Sequence, residues 1–193
     1  MIYLVLSFIL ISFSYPIHSF NQPFITAAKK ANPSVVSIVS EKIVENNFHP
    51  FFSPFPFDDN YQFDNYKTQS LGSGVIVDSI NGIIITNHHV IKKSDNIRVI
   101  LIDKTELKAE ILGSDPLSDI AIIKIDSDKI SNISIGNSDE LQIGEWVIAI
   151  GSPFGLHLNH TVTSGIVSGI GRSDIISSLS FENFIQHDAA INP

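Results

Sequence analysis

The 193-residue chain contains no cysteine, so it can build no disulfide, thiolate nucleophile, cysteine zinc site or iron–sulfur ligand set. Positive charge is scarce: 12 Lys and Arg stand against 20 Asp and Glu, a formal net charge of −8. A dedicated nucleic-acid binder needs a basic footprint to neutralise phosphates, so no nucleic-acid partner is expected. Charged residues amount to 17% and hydrophobic ones to 44%, which excludes a wholly disordered chain. Long apolar runs are missing too, except over residues 2–13, where only Ser7 and Ser12 interrupt. A run of about a dozen residues is too short to cross roughly 30 Å of hydrocarbon, and no later segment is apolar enough. There is no internal repeat and no helix-rich half. What abounds is isoleucine, 33 residues of it, and branching at Cβ favours a pleated sheet over a helix.

No charged side chain precedes Lys29. With Pro16 after the apolar run and Ile17 three positions before a bond following Ser19, residues 1–19 read as a secretory signal peptide, an uncleaved anchor being the alternative. Residues 20–33 form an N-terminal segment, with a short helix expected over 24–31 and ended by Asn32-Pro33. Residues 34–126 read as a first β unit. Its strands lie at Val35-Val36-Ser37-Ile38-Val39, Ile43-Val44, Val75-Ile76-Val77, Ile83-Ile84-Ile85, 97–101, 107–112 and 120–125, with turn signals between them. A loop over 46–69 interrupts it, carrying Phe48, Phe51, Phe52, Phe55, Phe57 and Phe63. Pro50, Pro54 and Pro56 there remove donors that a sheet would need. Either the loop is disordered or it docks on a neighbouring subunit, because exposed aromatic clusters are costly in isolation. Residues 127–144 are polar and link to a second set of strands within 145–193, at 146–150, 161–170 and 184–186. The expectation is an all-β protein in two parts, the second of them short.

Two sequence features could carry chemistry. His88-His89 follows the apolar strand Ile83-Ile84-Ile85, and a strand end can present an imidazole while its backbone stays fixed. Asp119 stands directly before the apolar run Ile120-Ala121-Ile122, so its carboxylate is expected to be half-buried and to need a partner. Each feature alone has an ordinary structural explanation: a solvent-facing or core-satisfied histidine, and a turn aspartate at a strand start. His157 and His160 suggest a metal site, but no third ligand stands near them in the sequence, and no metal is expected.

Taken together, the motifs resemble the HtrA (Do/DegP) family of chymotrypsin-like serine proteases. They are Gly72-Ser73-Gly74-Val75-Ile76; Thr86-Asn87-His88-His89-Val90-Ile91; Asp115-Pro116-Leu117-Ser118-Asp119-Ile120-Ala121; Gly151-Ser152-Pro153-Phe154-Gly155; Thr163-Ser164-Gly165-Ile166-Val167-Ser168; and Ile185-Gln186-His187-Asp188-Ala189-Ala190-Ile191-Asn192-Pro193. The similarity runs from about Phe24 to Pro193. It implies a double β-barrel, the first complete and the second truncated in this chain. It assigns His89, the histidine preceding the valine, as general base and Asp119 as its orienter, with no cofactor, and gives His88 no chemical role.

The family places Gly-Asn-Ser-Gly-Gly directly after the residues matching Asn192-Pro193, and that serine is its nucleophile. These 193 residues hold no such motif. Gly136-Asn137-Ser138 continues into Asp139-Glu140, whose carboxylates would oppose an oxyanion, while Ser73 and Ser152 match structural positions. Losing a serine nucleophile costs roughly a millionfold in turnover, so the chain as given is expected to be inactive. The resemblance implies an exported, periplasmic endopeptidase acting on unfolded or misfolded envelope proteins, in trimer-based homo-oligomers, with a role in stress response. The alternative is a non-catalytic pseudoprotease or chaperone-like module that binds unfolded proteins or intact protease subunits.

Overall fold

The computed structural model describes residues 18–44, 66–152, 160–173, 175 and 181–191. Residues 1–17, the aromatic loop as far as residue 65, Pro153-Phe154-Gly155, His157 and Asn192-Pro193 lie outside the described residues.

Helix α1 (His18–Ala31) opens the described chain and starts earlier than the expected residue 24. Pro23 lies inside it and removes one backbone donor, near enough to the start that the helix continues. Lys29 and Lys30 occupy its last turn, where cations suit the exposed carbonyls. Asn32-Pro33-Ser34 form a single 3-10 turn that feeds the first strand.

Six strands follow: β1 (Val35–Val44), β2 (Tyr66–Asp78), β3 (Ile83–Asn87), β4 (Asn96–Ile100), β5 (Glu106–Asp115) and β6 (Ile120–Ile125). They close into an antiparallel barrel in the order β1-β2-β3-β6-β5-β4, because β1 pairs with β2 along its whole length and also with β4. Closure pairs the central part of each strand on both sides, while residues 66–73 of β2 pair with β1 alone. The loop expected over 46–69 ends sooner than its sequence suggests. Residues 66–70 are strand, since the far half of β1 offers them a partner edge that no local pattern reveals.

The isoleucines fill the barrel by strict alternation. In β6, Ala121, Ile123 and Ile125 point inward and are buried, while Ile120, Ile122 and Lys124 face out. Val36, Ile38, Ile76, Ile84, Ile97, Val99 and Leu101 complete the core from the other strands. Each buried Ile side chain contributes about 2 kcal/mol through removal of apolar surface from water. The β2–β3 turn is tied by Asp78, whose carboxylate accepts the backbone N–H groups of Ile80 (2.9 Å) and Asn81 (3.0 Å). Gly82 closes that turn at φ +70°, and any Cβ there would meet the Ile125 carbonyl.

The polar stretch after β6 contains only a one-turn 3-10 helix (Ser138–Glu140). Then β7 (Trp146–Gly151), β8 (Thr161–Arg172) and β9 (Phe184–His187) form a three-stranded antiparallel sheet with β8 in the middle. Phe20 and Phe24 of α1 pack edge-on against Trp146, with ring centroids 5.9 and 5.2 Å away, so the N-terminal helix covers the start of β7. The all-β, two-part expectation is met by a closed barrel followed by a partial sheet.

Candidate active site

His89 does not sit on the strand itself. It lies in the single helical turn α2 (His88–Ile91) that caps β3. The glycine-rich start of the first motif makes room for this turn: a Cβ on Gly72 would come within 2.6 Å of the Val90 side chain. Buried Ser40 donates its hydroxyl to the Val90 carbonyl at 2.6 Å, and Ser94 donates to the Ile91 carbonyl at 2.8 Å. Thus β1 and β2 seat the turn that carries the imidazole.

Asp119 is delivered by the preceding turn. Asp115 accepts the Leu117 N–H (2.9 Å) and the Ser118 hydroxyl (2.8 Å), and these bonds hold its carboxyl below the usual carboxylate range. The chain then passes through Asp119 at φ +54°, a left-handed conformation uncommon for a residue with a Cβ. Backbone strain of this kind persists where surrounding bonds over-determine it, and here they do. The Asp119 carbonyl accepts from the His88 N–H at 3.0 Å and from Asn87 Nδ2 at 3.1 Å. Its carboxylate accepts the His89 backbone N–H on Oδ1 at 2.9 Å, and Oδ2 lies 2.7 Å from His89 Nδ1 and 3.2 Å from Asn87 Nδ2.

These contacts decide the protonation states. Partial burial pushes the Asp119 carboxyl up, but hydrogen bonds from the His89 backbone and ring and from Asn87 outweigh it, and the net shift is downward. An ionised carboxylate can only accept, so His89 Nδ1 supplies the proton of this hydrogen bond and Nε2 is the ring nitrogen that Asp119 does not engage. The imidazole is 68% exposed and Asp119 only 23%, so a sheltered carboxylate orients a ring that opens to solvent. This arrangement can remove a proton from a hydroxyl brought to Nε2 and return it to a leaving group.

The two residues predicted from the sequence are therefore brought into direct contact. Asn87, which joins both the carbonyl and the carboxylate of Asp119, was visible only as one letter of a motif, because nothing local shows that it reaches across to β6. His88 uses its backbone N–H in the site, and its buried ring Nδ1 makes no hydrogen bond among the described residues. Ser138 lies in an exposed 3-10 turn whose Asn137 accepts the Asp139 N–H at 3.1 Å. Ser73 and Ser152 bond to each other instead of to the imidazole: Ser152 N–H donates to Ser73 Oγ at 2.9 Å.

Beyond the dyad, β8 supports residues 188–190. Gly165 is required there, since a Cβ would lie 2.2 Å from the Ala189 nitrogen. Asp188 accepts the Ile166 N–H on Oδ1 at 2.6 Å, and Thr163 donates its hydroxyl to the Ala190 carbonyl at 2.8 Å. The motif containing residues 163–168 and the one containing 185–191 are thus two sides of one hydrogen-bonded ledge.

Residues 72–193 match the family model described as "Trypsin-like peptidase domain". The protein is 50% identical over 127 residues to a probable periplasmic serine endoprotease, DegP-like, of Pseudomonas fulva, covering 66% of this chain and 26% of that one. A protein of the same description from Halomonas elongata is 40% identical over 190 residues, covering 88% of this chain and 39% of its own length. Among solved structures, the HtrA-type protease AlgW with a decapeptide superposes with a TM-score of 0.71 at 37% identity, covering 88% of this chain and 52% of that chain. The same protease with a tripeptide gives 0.72 at 35% identity, covering 88% and 47%. The chain thus spans less than half the length of these curated relatives. A closed barrel, a second partial sheet, the His89–Asp119 pair and these matches agree, and the chain belongs to the HtrA family of trypsin-like peptidases.

Proposed function

We propose that these residues form the histidine–aspartate part of an exported, periplasmic HtrA-like serine endopeptidase that cleaves unfolded or misfolded envelope proteins. The observation that carries this reading is the pair of hydrogen bonds that the Asp119 carboxylate accepts from the His89 backbone N–H and ring Nδ1, at 2.9 and 2.7 Å. They leave Nε2 unengaged by Asp119 on an exposed ring. The relatives' description as periplasmic endoproteases supports the location and reaction, and the solved neighbours' bound peptides support an extended polypeptide as substrate. Among the described residues, no helix is long and apolar enough to cross a membrane.

In the proposed reaction His89 Nε2 takes the proton of a serine hydroxyl as Oγ bonds to the scissile carbonyl carbon. The resulting imidazolium, steadied by Asp119, hands that proton to the leaving amine as the C–N bond breaks. Water then repeats the sequence on the acyl-enzyme. The nucleophile and its oxyanion-binding N–H groups belong to a Gly-Asn-Ser-Gly-Gly turn that residues 1–193 do not contain, so a polypeptide of these residues alone is inactive. Residues 1–19 direct export, 20–33 form the N-terminal segment, 34–126 the first barrel, 127–144 the linker and 145–193 part of the second barrel. The working assembly is a trimer-based homo-oligomer.

The experiment is a casein digest and fluorophosphonate labelling of two polypeptides: residues 1–193, and the same residues continued through a serine turn and the rest of a protease domain. The longer one should cleave casein and lose activity on His89→Ala, while the shorter one does neither. Cleavage by the shorter chain that disappears in His89→Ala would locate a nucleophile inside it. An inert longer chain that still binds unfolded casein would instead establish the non-catalytic binding module.

A further inference from the structure

Where the second sheet meets the first barrel, the contact is made by hydroxyl groups. Ser37 on β1 and Ser152 just beyond β7 join through their Oγ atoms at 2.6 Å, although 115 positions separate them in sequence. Both are buried, at 2% and 8% exposure. The Ser152 N–H donates to Ser73 Oγ at 2.9 Å, and Ser73 faces Ser37 across the β1–β2 ladder. The Ser73 carbonyl in turn accepts from the hydroxyl of buried Thr86 at 2.8 Å, three residues before His89 on the strand that ends at Asn87. A Cβ on Gly151 would press on Ser73 Oγ at 3.1 Å, so the glycine lets β7 approach this closely.

We propose that Ser37, Ser73 and Ser152 are positioning residues: their hydroxyls pin the second sheet to the barrel in one placement relative to His89. Resting on the protease reading above, this placement brings β8, and the residue 188–190 ledge it supports, into register with the imidazole. The chemistry suits a pin better than an apolar contact would. Hydrophobic packing is non-directional and tolerates sliding, whereas a buried hydroxyl pair that loses its partner strands a polar atom and is penalised for it. Two sheets with a hydroxyl lock therefore have one favoured relative position. None of the three serines touches the His89–Asp119 pair, so each acts through the backbone it holds.

The absence of cysteine makes the test direct. Spin labels on Lys124→Cys of β6 and Ser164→Cys of β8, both exposed, report the distance between barrel and sheet, and labels on Lys92→Cys and Lys124→Cys report a distance within the barrel. In the 193-residue chain, Ser37→Ala with Ser152→Ala should broaden the barrel-to-sheet distance distribution about twofold, leaving the within-barrel distribution narrow. Ser152→Thr with Ser37 intact, which keeps both hydroxyls, should leave the distribution narrow. If the double variant does not fold, Ser73→Ala removes only the acceptor of the Ser152 N–H and should broaden the same distribution. Unchanged barrel-to-sheet widths, or equal broadening of both label pairs, would overturn the proposal. Because no proteolysis is read, a failed pin and a failed protease assignment give different results.

Discussion

The two halves of the molecule solve the same sheet-forming problem with different completeness. In the barrel, six strands pair around a closed ring and a continuous core of Ile, Val, Leu and Ala excludes water. Among the described residues the β7–β8–β9 sheet keeps two edges, and Val167 is the one side chain of these strands that is fully buried. Both parts of the dyad come from the closed half: His89 from the turn after β3, and Asp119 from the mouth of β6, the strand paired to β3 along its length. The closed ring holds this pair from two adjacent strands. The partial sheet carries the residue 188–190 ledge, whose placement depends on junctions more than on a core of its own.

The sharpest way to break this comparison is at Asp119. Asp119→Asn replaces an acceptor by a donor, turns His89 to the tautomer with its proton on Nε2, and should lower kcat about 10⁴-fold in a chain that carries the nucleophile. In the 193-residue chain the same variant should abolish the hydrogen-bonded Nδ1 proton signal in NMR, while circular dichroism stays that of a β protein. A retained signal would mean that Asp119 does not set the tautomer.

The next effect separates the cores. Ile123→Ala in the middle of the barrel should cost about 2–5 kcal/mol of unfolding free energy, read by urea denaturation. Val167→Ala should cost less, and its consequences should be confined to faster amide exchange in β7, β8 and β9. Equal losses of protection in β3 and β6 would show that the two halves unfold as one.

Gly165→Ala tests the ledge. With the Ala189 nitrogen in the way, overpacking of this kind costs about 1–3 kcal/mol, and the Ile166 and Asp188 amides should lose protection. The barrel amides should not change.

The smallest expected effect is a pH dependence at the N-terminal side of the sheet. His160 directly precedes β8, its Nδ1 lies 3.0 Å from Asn32 Oδ1, and burial pushes its imidazole below the ordinary histidine value. Unfolded His160 therefore binds its proton first as pH falls, so the contact is fully stabilising above about pH 6.5 and weakens below it. Asp119 is shifted downward as well, so its contribution also weakens on acidification, in a lower pH window. Its depressed carboxyl supplies stability that is complete above about pH 4 and is lost only as pH falls further. Acidification from pH 7 should loosen the β8 start before the dyad, as followed by histidine and backbone NMR shifts, and His160→Gln should remove the first step alone.

Much of the barrel is readable in the amino-acid order because its information is local. Alternation in residues such as Ile120 to Ile125, punctuated by Asp, Asn and Gly turns, places strands to within a few residues. The early start of β2 at Tyr66 was hidden, since it depends on β1 providing an edge far away in sequence. Helix α1 ran longer than its pattern for a similar reason, with Phe20 and Phe24 resting on Trp146. The site shows the same division. His89 and Asp119 were found through motif order, yet the two hydrogen bonds that Asn87 Nδ2 donates to Asp119, the turn α2 and the positive φ of Asp119 follow from how β3 and β6 lie side by side.

By itself, then, the order of residues determined composition-level and short-range properties: no thiol chemistry, β-rich segments, their turns, and which histidine and aspartate to pair. Only the tertiary structure decided that the Asp119 carboxyl is held below its ordinary value, that its Oδ2 meets His89 Nδ1, and that three serines scattered over 115 positions meet at one junction. Those outcomes are set by distances of about 3 Å between atoms remote along the chain, and such distances exist only after the strands have packed.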